Sequence, residues 1–167
     1  MTSMTSRIGF PLVVNEKAAR VVAAGVVLLA ALALATGWLW LSVLMAVGFA
    51  LRVLAGPRFS PLGRLAASVL APRLGEPRLV SGAPKRFAQG VGLAFTLGAS
   101  VAWALGAATV AVVLLSVLLV FAALEAVVGF CAGCYVFGHL IRLGVVSDDT
   151  CVECADISLR RRRPVSV

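Results

Sequence analysis

Two uncharged stretches, Val21 to Leu51 and Phe87 to Leu124, constrain this chain more than any other feature. Each exceeds the ~18 consecutive apolar residues that mark a membrane span. As one helix the second would extend about 57 Å, nearly twice a ~30 Å hydrocarbon core, so it is predicted to fold back as a hairpin near Gly106. The first is predicted to break at Thr36-Gly37, where glycine accepts turn dihedrals and Trp38 and Trp40 would lie at a membrane interface. One long tilted helix is the alternative for that run. Composition points the same way. With 61% hydrophobic and 13% charged residues, and a mean hydropathy of +1.04, the 167 residues hold more apolar side chain than a soluble globule of this size can cover.

The basic residues set an orientation. All 15 Lys and Arg fall at the N-terminus, between Arg52 and Arg86, or from Arg142 onward, and none falls in either predicted turn. The positive-inside rule then puts both termini and the central connector in the cytoplasm. The net charge of +8 arises from these flanks. A nucleic-acid partner is not expected, because no groove-reading or aromatic-studded basic face accompanies it. An export signal is not expected either, since the apolar stretch after Arg20 is longer than a signal-peptide core and leads into a second span.

The predicted fold is an all-α membrane protein, a single domain over 1–167 of the cell (inner) membrane. Four transmembrane helices, about 18–36, 38–55, 86–105 and 107–130, form two hairpins. Arg52 is expected to snorkel to water from the second. In the cytoplasmic connector, Ser60-Pro61 offers an N-cap and a proline at the first helical position, and Pro72 a stop. Between them Leu62, Leu65, Ala66, Val69 and Leu70 make one apolar stripe over about 61–71, an interfacial helix that lies on the membrane or packs on the bundle. A cysteine-bearing cytoplasmic tail or short helix, 131–167, completes the chain.

Four cysteines carry the candidate chemistry. They read Cys131-Ala-Gly-Cys134 and Cys151-Val-Glu-Cys154, two C-x-x-C pairs at a spacing that suits a four-thiolate zinc or iron site. In a reducing cytosol a purely structural disulfide is not expected, so the thiols are metal ligands, redox-active, or inert. A helix running unbroken through Cys134 would disfavour thiolate at its carbonyl end. A break at Gly129 or Gly133 would instead put Cys131 or Cys134 at the start of a new helix ending near Leu143, where the dipole lowers the thiol pKa. Glu125, near the inner edge of the hydrocarbon, is either a functional carboxylate or the partner of Arg52 or Arg142 in an ion pair. On an unbroken helix it shares a face with His139, the only histidine, which is an interfacial hydrogen-bonding residue or, less often, a ligand.

The segments Pro84-Lys85-Arg86-Phe87-Ala88-Gln89-Gly90-Val91-Gly92, Gly56-Pro57-Arg58-Phe59-Ser60-Pro61-Leu62 and Gly129-Phe130-Cys131-Ala132-Gly133-Cys134 together resemble an uncharacterised family of small, mainly actinobacterial, four-cysteine integral membrane proteins, a domain of unknown function. The resemblance spans about Val14 to Cys154. Through the thioredoxin-like proteins and thiosulfate sulfurtransferases that such members are encoded beside, it implies thiol or sulfur chemistry. The expected function is a membrane thiol protein that exchanges electrons or sulfane sulfur with a cytoplasmic thioredoxin-like or rhodanese-like partner. Cys131 and Cys134 form the membrane-proximal pair, Cys151 and Cys154 a relay, and Glu125 serves proton transfer. The alternatives are a non-enzymatic zinc or iron site on the four cysteines that staples the tail to the bundle, and a small transporter of a sulfur-containing anion. A homo-oligomer is compatible with either. Cysteine-labelling of single-cysteine variants is expected to place Gly37 and Gly106 outside the cell and Arg73 and Arg162 inside; a protected Gly37 would remove the four-helix topology.

Overall fold

Asn15 turns the chain into its first helix, its side chain accepting a hydrogen bond from the Lys17 N–H at 3.0 Å. The computed structural model describes residues 13–144 other than 57, 58 and 77. In order, the elements are β1 (Val13–Asn15), α1 (Glu16–Thr36), α2 (Leu41–Ala55), α3 (Pro61–Leu65), a π-helical turn (Ala66–Leu70), α4 (Ala71–Arg73), β2 (Leu79–Ser81), α5 (Gly82–Ala104), α6 (Ala108–Val128) and α7 (Ala132–Arg142). The fold is all-α apart from one small ribbon.

That ribbon sets the geometry of the helices. β1 and β2 pair antiparallel, Val14 opposite Val80, and each runs straight into a long helix. α1 leaves the ribbon beside Leu79 and α5 beside Val13, at its opposite ends, and the length of both helices carries the connections 37–40 and 105–107 away from it. Trp38, Trp40 and Trp103 are exposed around those connections, where amphipathic rings suit a membrane interface.

α1, α5 and α6 are each long and apolar enough to cross a membrane, whereas α2 is a shorter apolar helix of 15 residues. At 1.5 Å per residue α2 is about 22 Å long, less than a ~30 Å core. The helices present Leu28, Val113, Val120 and Val127 outward, all more than half exposed, over a surface that matches lipid far better than water.

α2 packs chiefly on α5, and α1 on α6, around a core of Val26, Ala30, Met45, Phe49, Ala99 and Leu115. Alanines at the centre bring the backbones close, as in lipid, where packing rather than water exclusion holds helices together. One polar tie crosses the core: the Ser100 hydroxyl lies 3.0 Å from that of Ser42, and also bonds the Thr96 carbonyl at 2.7 Å.

The connector differs from its prediction in an instructive way. Ser60 caps α3 as expected, accepting from the Gly63 N–H at 3.5 Å. The helix does not stop at Pro72, however, but runs on to Arg73. The widened turn at Ala66–Leu70 comes just before Pro72, which has no N–H to give the carbonyl four residues back, and the Ala71 N–H reaches instead to Ala66. The stripe is split by this change of pitch. Leu62 and Ala66 pack against the bundle, while Leu65, Val69 and Leu70 remain exposed.

Arg52 also departs from expectation. It does not snorkel to water but is 3% exposed, its guanidinium stacked 4.3 Å over the Phe49 ring. Leu115 is the largest fully buried side chain. Leu115→Ala is expected to cost about 2–5 kcal/mol through the cavity it leaves, seen as a lowered melting temperature in mild detergent. Leu28→Ala, on the lipid-facing surface, should change it little, because that side chain meets the same apolar surroundings folded or unfolded.

Candidate functional site

Gly129 creates the site by stopping α6. Its φ of 75° lies in the left-handed region, where a side chain would add strain, and the Gly129 N–H bonds back to the Glu125 carbonyl at 3.1 Å. The carbonyls exposed at the helix end are covered by Arg20 of α1, whose guanidinium donates to Ala126 O at 3.2 Å and to Val127 O at 2.6 Å. The chain then restarts as α7 with Cys131 as its N-cap. The Cys131 sulfur accepts from the Cys134 N–H at 3.4 Å, as a serine or threonine oxygen would. Of the two arrangements open from the sequence, the broken helix is the one found.

Gly133 places the pair. A Cβ there would lie 2.6 Å from the Ala88 Cα, so only glycine lets the first turn of α7 sit flush on α5. The rest of α7 holds that position by its apolar face, Phe137 and Ile141 against Ala83 and Phe87. The helix break separates His139 from Glu125: the imidazole is exposed and stacks edge-on to Tyr135, with ring centroids 4.6 Å apart.

Glu125 finds neither partner expected of it. Its carboxylate takes a 2.6 Å ion pair from Lys85 in the first turns of α5. Lys85 is only 5% exposed. Arg142 is exposed on α7, and Arg52 lies within electrostatic reach of Glu125 without a hydrogen bond to it. The Arg52 Nε and Nη1 are buried and have no partner among the described residues.

Glu125 thus faces two buried cations, Lys85 and Arg52, and of these Lys85 also acts on Cys131, which is 7% exposed. A thiolate at Cys131 would bring the set to neutrality. The thiol is held below the ordinary cysteine range, first by a hydrogen bond from the Cys134 thiol and further by Lys85 and the Cys134 backbone, against burial and the Glu125 charge. Cys134 is pushed up by the same bond and by burial, so the two thiols are unequal. Of the two, Cys131 is the thiol whose setting favours ionisation and Cys134 the one that keeps its proton.

Cys151 and Cys154, and with them the four-cysteine site, lie outside the described residues. Among the described residues no three His, Cys, Asp or Glu side chains converge as a metal site requires. Lys85 and Gln89 are members of the site that the sequence did not single out. One signal pointed toward a partner for Glu125: it is the only acidic residue between Glu76 and Asp148.

Fold and site together define a class: an all-α protein of long apolar helices that carries a C-x-x-C pair at a helix start, against a buried ion pair. The chain belongs to the family described as Domain of unknown function (DUF4395), whose model matches residues 14–142. Neither curated proteins nor solved structures gave a match.

The inequality of the thiols is measurable. The thiolate is the reactive form, so a lowered pKa starts the rise in alkylation rate at lower pH. In a Cys151→Ser, Cys154→Ser background, Cys134→Ala removes the donated S–H and is expected to move the pH profile of Cys131 alkylation by iodoacetamide upward. Cys134→Ser, which keeps a donor, should move it less. An unchanged profile in the alanine variant would show that the bond does not govern Cys131.

Proposed function

We propose that this protein is an integral membrane thiol redox protein, with Cys131 as the attacking sulfur and Cys134 as the resolving one. It exchanges electrons or sulfane sulfur with a soluble thioredoxin-like or rhodanese-like partner. The observation that carries this reading is the setting of Cys131: an N-cap thiol that accepts from both the backbone and the thiol of Cys134, beside the buried Lys85–Glu125 ion pair.

The four-span topology belongs to the same proposal. α1, α2, α5 and α6 cross the inner membrane as two hairpins, with both termini cytoplasmic. The basic residues around Arg20 and from Arg52 to Arg86 favour the inner side for the ribbon end, which is also the Cys131 end. The partner therefore meets the site from the cytoplasm.

The exchange conserves atoms and electrons. A thiolate of a reduced partner attacks the Cys131–Cys134 disulfide at Cys131, forming a mixed disulfide and releasing Cys134 as a thiolate, which takes up a proton. The partner's second thiol, losing its proton, then attacks its own bridged sulfur. The partner leaves as a disulfide, and Cys131 departs as the thiolate that the site favours. Two electrons have entered the membrane protein. For sulfane sulfur, Cys131 thiolate takes the outer sulfur of a partner persulfide and the partner regains its thiolate.

With the exchange run in reverse, from an oxidised thioredoxin-like protein attacked by Cys131 thiolate, Cys134→Ser is expected to accumulate the mixed disulfide at Cys131, because the thiol that resolves it is gone, while the native chain cycles between dithiol and disulfide in a free-thiol assay. Elemental mass spectrometry of anaerobically purified protein provides the opposing outcome. About one zinc or iron per chain, lost when any one of the four cysteines becomes serine, would replace this reading with a metal site.

A further inference from the structure

The Cys131 sulfur turns away from water. Cys131 forms part of the wall of a cavity of about 330 Å³ between α1, α2, α5, α6 and the start of α7. This lies within the ~300–1,000 Å³ range of small-molecule sites. The wall is mostly apolar, and four of its side chains are the rings of Phe49, Phe87, Phe95 and Phe121. Its polar members, Cys131, Glu125 and Gln89, come from the helix ends nearest the ribbon, while Val26 and Leu118 line the deeper part.

Two details say what would fit. The Gln89 Oε1 is buried with no partner among the described residues, an acceptor that calls for a donor from whatever occupies the cavity. On the cavity's rim, Val91, Phe121 and Val136 are exposed on the apolar surface, so it is reached from lipid rather than from water. A lipid chain would fill the deeper part but leave Gln89 unsatisfied and Cys131 unused. A flat ring whose edge oxygens carry O–H in its reduced form, as a hydroquinone's do, satisfies both.

The geometry points to this cavity as the binding site of a lipid-soluble quinone that takes the electrons of the Cys131–Cys134 dithiol. This rests on the thiol-exchange reading above and supplies its missing oxidant. Cys131 thiolate adds to a ring carbon of the quinone. The Cys134 sulfur, losing its proton, attacks the Cys131 sulfur; as the S–S bond forms the C–S bond breaks, and its electron pair stays on the ring. The pair loses two electrons and the Cys134 proton, and the quinone takes both electrons, that proton and a second one from water, and leaves as the hydroquinone. Gln89 presents its amide nitrogen to a quinone carbonyl and its oxygen to a hydroquinone O–H.

Decylubiquinone, whose ring is fully substituted, is a suitable probe with the full chain reduced anaerobically in mild detergent. One hydroquinone is expected per Cys131–Cys134 disulfide formed, followed by ultraviolet absorbance and thiol titration. Gln89→Leu, which removes the amide at similar volume, and Ala122→Phe, which fills the cavity, should each slow quinone reduction by about tenfold or more relative to oxidation by 4,4′-dithiodipyridine, which needs only the thiols. Melting temperatures of both variants close to that of the native chain would separate this from misfolding, and Gln89→Leu, at the lesser change in volume, keeps the test open if Ala122→Phe does not fold. A chain that dithiodipyridine oxidises to the Cys131–Cys134 disulfide, but that leaves decylubiquinone unreduced or reduces it equally fast in both variants, would overturn the quinone site and leave thiol exchange standing. If no Cys131–Cys134 disulfide forms with either oxidant, the thiol-exchange reading itself fails, and the quinone site with it.

Discussion

The buried charges at the ribbon end of the bundle govern the rest of the structure. Lys85 and Arg52 are almost wholly buried, on helices that pack against one another, and Glu125 answers them from α6. Two unit charges ~4 Å apart interact by about 4 kcal/mol at an effective dielectric near 20, whereas removing one partner of a buried pair typically costs about 3–5 kcal/mol. Such a set is held only if the helices that carry it are held, so α2, α5 and α6 are locked in register at this end by electrostatics. At the far end, alanines and the Ser42–Ser100 contact suffice.

The same cluster explains why α6 stops where it does. Had the helix continued through Gly129, its terminal carbonyls would have pointed toward Cys131 and made a thiolate there unfavourable. Arg20 instead covers the Ala126 and Val127 carbonyls, and the chain turns so that Cys131 meets the amide end of α7. One glycine thus exchanges the unfavourable end of one helix dipole for the favourable end of another. Gly133 completes the change by letting α7 lie on α5 next to Lys85.

The long helices were legible in the sequence because their signal is local: two uncharged runs, flanking charges, and glycines near the breaks. The connector cap at Ser60 was legible for the same reason. The ion pair was not, because Lys85 and Glu125 are 40 residues apart and nothing in either neighbourhood names the other. Lys85 read as one more flanking cation, and Arg52 as a snorkelling one, since a lone arginine near a helix end ordinarily reaches water. What reversed that was the cation–π seat on Phe49 and a carboxylate nearby, both products of packing. The two sides of the Cys131 question were also visible, but the choice between them rested on Arg20 reaching across from α1, a contact between residues more than a hundred positions apart.

The charge count gives the site a dependence on its own redox state. With Cys131 as thiolate, the two cations meet two anions, and the reduced site is close to neutral. Forming a Cys131–Cys134 disulfide would remove one anion and leave an uncompensated positive charge in a poorly solvated place, where two Arg52 nitrogens have no hydrogen-bond partner among the described residues. In the proposed cycle the oxidised site would therefore be the one that attracts an incoming thiolate, and the reduced site the one that tolerates a neutral, apolar guest in the adjoining cavity. Under the proposed function, attraction for a soluble reductant and accommodation of a lipid-borne oxidant would then belong to opposite redox states, the ordering that a two-electron relay between cytoplasm and membrane requires.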